Sequence, residues 1–426
     1  MTAERATPGP EVGCTARPGP RGGASRPALA QAAGPMASAK ARGGRPVPAG
    51  AVLALLAVLV APCALSAQGL PKGSGWKDSF YPAFTSLSND APIFIVHYEQ
   101  RNALTFYDRT PYSGQLALDL GANTAGTRMA QATFKAPYLW KDWRVAASLG
   151  AVRQVRFGYY GLGNETDFDD DLVTKSQPFY YRARRARYLG TAEVSRRIAG
   201  PLWAAAGLGL EHTNLSDLPR PSVFRTEQGT ADVTDTDVRG KLTLVLDTRD
   251  NEFNTRKGLF AEASVVRGSG GDGYTRFTGA VRGYYPIREG TIIAARVLGS
   301  GLTGQPALNT RFEVPLWEGE LSVLGGTGSN RGLEFQRYAG QDVLLGNLEV
   351  RHDLLNLNVF GAITLFGFVD AGRVFEQTPF RLTTDGLKAG YGGGLAIRLL
   401  SFTIWTFNFG GGPDGFQFSV GSGWAF

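Results

Sequence analysis

Residues 416–426 read FQFSVGSGWAF. Phe416, Phe418, Val420, Trp424 and Phe426 alternate with Gln417, Ser419, Gly421, Gly423 and Ala425. One face is large and apolar, the other small or polar, and a period of two marks a β-strand. The pattern recurs upstream. Val238, Leu242, Leu244 and Leu246 oppose Arg239, Lys241, Thr243 and Asp247. Tyr391, Leu395, Ile397 and Leu399 oppose Gly392, Gly394, Ala396 and Arg398. Such stretches run for about 9–14 residues between clusters of Gly, Asp, Asn and Pro, as strands between turns do.

Two architectures produce this alternation. A soluble sandwich turns the apolar face inward. A transmembrane β-barrel turns it outward to lipid and keeps polar groups in the lumen. The lengths match the ~9–11 residues a strand needs to cross a bilayer. Trp and Tyr recur near strand ends, as in interfacial girdles. Arg276, Arg282, Arg296, Glu349 and Arg351 fall inside strands, where a dry sandwich core would reject them.

The N-terminal sequence points the same way. Residues 36–67 read as a secretory signal peptide: Lys40, Arg42 and Arg45, then the apolar run AVLALLAVLVAP from Ala51, then small residues to Ala67. The run is shorter than the ~20 residues of a spanning helix. Met36 opens this signal, so residues 1–35, rich in Pro, Gly and Ala, are expected to be disordered or an upstream start artefact. Residues 1–67 hold seven of the 44 basic residues, two of the 37 acidic ones and both cysteines, Cys14 and Cys63. Five of the seven net positive charges therefore belong to export, and nucleic acid is not a partner. Two cysteines supply neither a disulfide framework nor a four-ligand zinc site. The 57 glycines suit turns, bulges and crowded lumen walls.

The connections alternate in length. Short ones are expected near 139–142, 199–200, 286–289, 354–357 and 400, with a longer one at 248–256. Between them lie connections near 159–177, 214–235, 302–340 and 373–386, with shorter members at 268–271 and 410–414. Short periplasmic turns and longer outer loops require this alternation. Counting back from Phe426 gives fourteen strands to about residue 113, and residues 91–109 supply two more. The expected fold is all-β: an antiparallel barrel of about sixteen strands over 91–426, after a short periplasmic segment or plug at 68–90.

Several motifs resemble the BamA/TamA superfamily of outer-membrane barrels, the bacterial surface antigens. Residues 247–258, DTRDNEFNTRKG, resemble its D-x-R-D-N turn signature through Asp247, Arg249, Asp250, Asn251 and Gly258, with Thr255 where Pro is common. FVDAGRV at 368–374 matches its F-x-D-x-G element at Phe368, Asp370 and Gly372. Residues 331–351 resemble its long-loop R-G element, Arg331 and Gly332, followed by an E-x-R strand, Glu349 and Arg351. Asn330 replaces the usual aliphatic residue and Leu333 the usual aromatic. FGYYGLGN at 157–164 resembles a further segment, and Phe426 resembles the C-terminal signal of outer-membrane proteins.

The resemblance implies insertion of proteins into, or export across, the outer membrane. It also implies a long loop folded into the lumen, with Arg331 paired to Asp370. Parity agrees, because Asp370 shares a face with Thr364 and Phe366, opposite Ile363 and Leu365. Members that assemble proteins carry periplasmic POTRA repeats, which 68–90 is too short to hold. That implies a separate periplasmic partner or a changed role. Client membrane proteins, outer-membrane lipid and lipopolysaccharide are the expected partners.

No enzyme chemistry emerges. His97, His212 and His352 are scattered, and there is no nucleophile elbow or phosphate loop. Asp167, Asp169, Asp170 and Asp171 read as a solvated acidic loop rather than a Ca²⁺ site. Arg182, Arg184, Arg185 and Arg187 read as a solvated strand end or a contact for anionic lipid headgroups. No cofactor or metal is expected. The alternative function is a passive porin-like channel for small solutes.

Overall fold

The computed structural model describes residues 75–85, 91–105, 107–376, 380–399 and 403–426. The segment 1–35 and the expected signal peptide at 36–67 lie outside them. One antiparallel sheet contains sixteen strands in sequential order. They are β1 (Trp76–Thr85), β2 (Ile93–Ala103), β3 (Tyr112–Ala122), β4 (Arg128–Trp140), β5 (Trp143–Gly158), β6 (Arg182–Ala199), β7 (Leu202–Ser216) and β8 (Val233–Asp247). The second half is β9 (Gly258–Gly268), β10 (Gly273–Arg288), β11 (Thr291–Gln305), β14 (Asp342–Asn356), β15 (Gly361–Phe375), β16 (Lys388–Leu399), β17 (Thr403–Gly412) and β18 (Gly415–Ser422). Two short strands, β12 (Glu313–Pro315) and β13 (Glu320–Ser322), pair with each other inside the β11–β14 connection. Among the described residues, no helix is long and apolar enough to cross a membrane. The fold is a transmembrane β-barrel.

Burial alternates along β7, β9, β10, β11, β14, β15 and β17, sorting their residues into two faces. On β14 and β15, Asn347, Glu349, Arg351 and Asp370 are buried inside, while Leu348, Val350, Leu365 and Val369 are exposed outside. The strand charges Arg276, Arg282 and Arg296 are likewise buried. Leu242, Leu244, Val297, Phe416, Phe418 and Val420 form part of the exposed outer wall. An apolar surface of this extent belongs in lipid rather than water.

Both ends of the sheet differ from expectation. Residues 91–109 hold one strand, β2, instead of two, and the first strand lies in the 68–90 segment expected to be periplasmic. Pro82 hid it, since proline argues against a strand. It is tolerated here because β1 is an edge that pairs only with β2. At the other end, the strand expected to run to Phe426 stops at Ser422. Gly423 adopts φ +87° and turns the chain inward, so Trp424 and Phe426 leave the apolar outer face. Phe426 is buried beside Tyr284 and Ala294 inside the barrel.

Candidate functional site: a lumenal loop and its arginine lock

The connection from β11 to β14, residues 306–341, fills much of the lumen. It carries a one-turn 3₁₀ helix (Leu308–Arg311), the β12–β13 hairpin and an irregular return. Its apolar side packs Val314, Leu316, Leu321, Val323, Leu324 and Leu333 against Ala280, Leu298 and Leu345 of the wall. Burial of this kind fixes where the loop's polar groups must find partners.

Arg331 is the centre of that pairing. Its Nε donates to Asp370 Oδ2 at 2.8 Å and its Nη2 to Oδ1 at 2.9 Å, and its backbone N–H donates to Oδ2 at 3.0 Å. Its Nη1 donates to Glu349. The guanidinium lies 3.7 Å from the ring centroid of Phe368. Arg331, Glu349 and Asp370 are all buried. Burial alone would weaken the arginine's hold on its proton, but Asp370 and Glu349 outweigh it and raise the pKa above its ordinary value. A bidentate, desolvated guanidinium–carboxylate pair has one geometry, so it fixes the loop's register on the wall.

A second ring of contacts holds the carboxylates. Asn347 Nδ2 donates to Asp370 Oδ1 at 2.7 Å and to the Ser329 carbonyl at 2.6 Å. Arg296 donates from Nε to Asn347 Oδ1 at 2.9 Å and from Nη2 to the Gly328 carbonyl at 2.6 Å. Arg351 Nε donates to Glu349 Oε1 at 2.6 Å, and its Nη2 reaches the Phe426 carbonyl at 3.3 Å.

The Omp85 superfamily domain matches residues 113–424. The chain belongs to the Omp85 superfamily. It is a protein of the bacterial outer membrane. No curated protein sequence matches it. Among solved structures, the barrel resembles BamA from Haemophilus ducreyi lacking POTRA domains 1–3, with 13% identity and a TM-score of 0.50 over 85% of this chain and 78% of that one. It also resembles CdiB from Escherichia coli, with 12% identity and a TM-score of 0.51 over 82% of this chain. The match spans 62% of the CdiB chain. At such identities the likeness is one of fold.

Within this Omp85 barrel, the turn at 248–257 is also a lumenal element. Asp250 Oδ1 accepts the N–H groups of Asn251, Arg256 and Lys257, and Asn251 Oδ1 accepts those of Phe253 and Asn254. Gly258 has φ +119°, and a Cβ there would lie 2.5 Å from the Thr248 carbonyl. Thr255, in the position where the family favours proline, donates its hydroxyl to the Asn251 carbonyl at 2.6 Å. Asp247 and Arg249 pair at 3.0 Å, and Arg249 extends to Glu318 of the hairpin tip at 2.6 Å. The turn thereby meets the loop, and Trp424 Nε1 of the C-terminal tail donates to Asn254 Oδ1 of the turn at 3.0 Å.

Sequence reasoning did not find the acidic hairpin of this Omp85 loop. Glu313 pairs with Arg185 at 3.0 Å and Arg187 at 2.8 Å, and Glu320 with Arg187 at 2.8 Å and Arg239 at 2.9 Å. Glu318 pairs with Arg249 and Arg282. Burial pushes the Glu313 and Glu318 carboxyls up, but the arginines outweigh it and hold each at about 2. The available signal was the parity of Arg185, Arg187 and Arg239: three cations on lumenal faces share a single strand carboxylate, Glu211, which pairs with Arg187 and Arg239. Asp169, from the acidic run, caps the 3₁₀ helix Asp170–Leu172 by accepting the Asp171 N–H. Among the described residues, no group of three or more His, Cys, Asp or Glu could hold a metal ion.

Proposed function

We propose that this barrel takes part in inserting proteins into, or moving them across, the outer membrane, using the seam between β1 and β18 as the route. The observation that carries this reading is the open edge. β1 pairs only with β2, β18 pairs only with β17, and no ladder joins β1 to β18 among the described residues. A cavity of about 1200 Å³ lies there, lined by Ser79, Tyr81 and Glu99 on one side and by Trp405, Val420 and Gly421 on the other. An unpaired strand edge presents N–H and C=O groups to any strand that can reach them. A client β-strand is a chemically matched occupant. The lock makes β14–β16 the stiff part of the wall, which leaves the seam as the part that yields. The lumenal carboxylates and arginines bind one another, which favours a structural role over catalysis.

Depletion of the protein followed by outer-membrane proteomics tests the reading. Loss of a subset of barrel proteins, with their precursors accumulating, supports it and names the clients. An unchanged proteome overturns it. Cysteine pairs placed across the seam, between 79–83 and 418–422, add a mechanistic arm: oxidation should halt assembly and reductant restore it. The porin-like alternative requires a steady large conductance. The hairpin, the turn and the C-terminal tail occupy the lumen, so the expected trace is mostly closed with brief openings.

A further inference from the structure

The run Arg182, Arg184, Arg185, Arg187 divides by parity. Arg185 and Arg187 face the lumen and bind the hairpin. Arg184 faces outward, and two more outward arginines lie beside it. Arg128 of β4 is directly opposite Arg153 of β5, and Arg153 is opposite Ala186 of β6, two residues from Arg184. Arg128 and Arg153 are exposed. Among the described residues, none of the three has an acidic partner, whereas Arg144, Arg185, Arg187, Arg239, Arg249, Arg282 and Arg331 all do. The Arg184 Nε is also buried without a hydrogen-bond partner. Like charges directly opposite one another on a sheet face destabilise it. Placing two there, with a third adjacent, makes sense when an anion sits among them.

Depth identifies the anion's source. The three arginines lie at the end of β4–β6 next to the outer loops. One register row below, Ala130 is opposite Ala151, and Ala151 is opposite Tyr188. Two residues of strand place that row about 7 Å further along the tilted strands, toward the membrane interior. Tyr188 is outward and 56% exposed, as an interfacial aromatic at headgroup level is. Ala132, Leu149 and Gly190 continue the same outer face as a low wall on which acyl chains can lie. We propose that Arg128, Arg153 and Arg184 bind the phosphate of a multiply acylated, phosphorylated glycolipid of the outer leaflet. Guanidinium forks match phosphate oxygens bidentately and lose little hydration in doing so.

Native mass spectrometry of the purified full-length chain tests this. The probes are a hexa-acylated diglucosamine bisphosphate, the same glycolipid without phosphates, and inorganic phosphate. One tightly held bisphosphorylated lipid is expected, with at least ten-fold weaker retention in the R128Q/R153Q double variant and in R184Q. The phosphate-free lipid should bind at least ten-fold more weakly, and millimolar inorganic phosphate should not displace the lipid. In lipid-free detergent R128Q should raise the melting temperature, since it removes a like-charge pair, and this gain should reverse when the lipid is added. Equal retention by wild type and variants, indifference to the phosphates, or displacement by inorganic phosphate would each overturn the proposal. Heat-modifiability on unheated gels identifies which variants are folded, and the singly substituted R184Q stands in for the double variant if that does not fold.

Discussion

Gly332, at the tip of the lumenal loop, lies against Gly390 of β16: a Cβ built on Gly332 would come within 2.6 Å of the Gly390 Cα. The Gly410 and Gly412 positions of β17 crowd the same tip, where the backbone of Arg331 and Gly332 lies against them. Part of the glycine excess therefore exists to let one backbone settle onto another.

Gly332→Ala is expected to lift the tip from the wall. Overpacking at a rigid backbone contact costs ~1–3 kcal/mol, and here it also stretches the adjacent Arg331–Asp370 pair. Limited trypsin digestion should cut at Arg331 or Arg337 several times faster than in wild type. Equal resistance would show that the tip has room.

Asp370→Ala leaves the Arg331 guanidinium buried with only Glu349 to balance it. Removing one partner of a buried pair costs ~3–5 kcal/mol, so a large drop in the barrel's melting temperature is expected. Replacing Arg331 and Asp370 together by Met and Leu should cost less than either single change, because no charge is stranded. A double variant worse than both singles would mean that the pair also holds the loop in a way apolar packing cannot replace.

The two faces of the strands were legible because lipid and lumen impose opposite chemistry on neighbouring residues. Asp370 is an example, since its parity alone puts it inside. The ends of the sheet were not legible, for local reasons. Pro82 looks like a breaker unless its strand is known to be an edge, which only the assembled sheet reveals. Trp424 and Phe426 continue the alternation of Phe416, Phe418 and Val420, but pattern counting is blind to a left-handed Gly423 that redirects the chain. The partners of Glu313, Glu318 and Glu320 were hidden because they lie on distant strands. Asn347 and Arg296, which support the lock, carry no motif.

Trp424 should matter more to stability than a C-terminal export signal alone would require. Its ring lies 4.0 Å from the Arg351 guanidinium and its Nε1 donates to Asn254. Trp424→Ala removes the cation–π contact, the hydrogen bond and part of the packing under Phe366, for a loss of ~2–4 kcal/mol. Trp424→Phe should recover most of it. Protein that is assembled normally but melts at a lower temperature is the expected result. Failure to reach the membrane at all, with no change in the stability of refolded barrel, would assign the tail to targeting instead.

The acidic hairpin gives the lumen a defined pH response. Glu318 is held at about 2 when folded, below the ~4.3 of a free glutamate. A depressed carboxyl contributes stability that is fully present above the free value and disappears as pH falls toward the folded one. The hairpin should therefore stay seated at neutral pH and loosen between about pH 4 and pH 2, with Glu313, also near 2, titrating alongside it. In planar bilayers the channel should open more often across that interval. Glu318→Gln, which removes the charge facing Arg249 and Arg282, should open more often at neutral pH and respond less to acid. A wild-type channel whose open probability is flat from pH 7 to pH 2.5 would show that these ion pairs do not hold the hairpin closed.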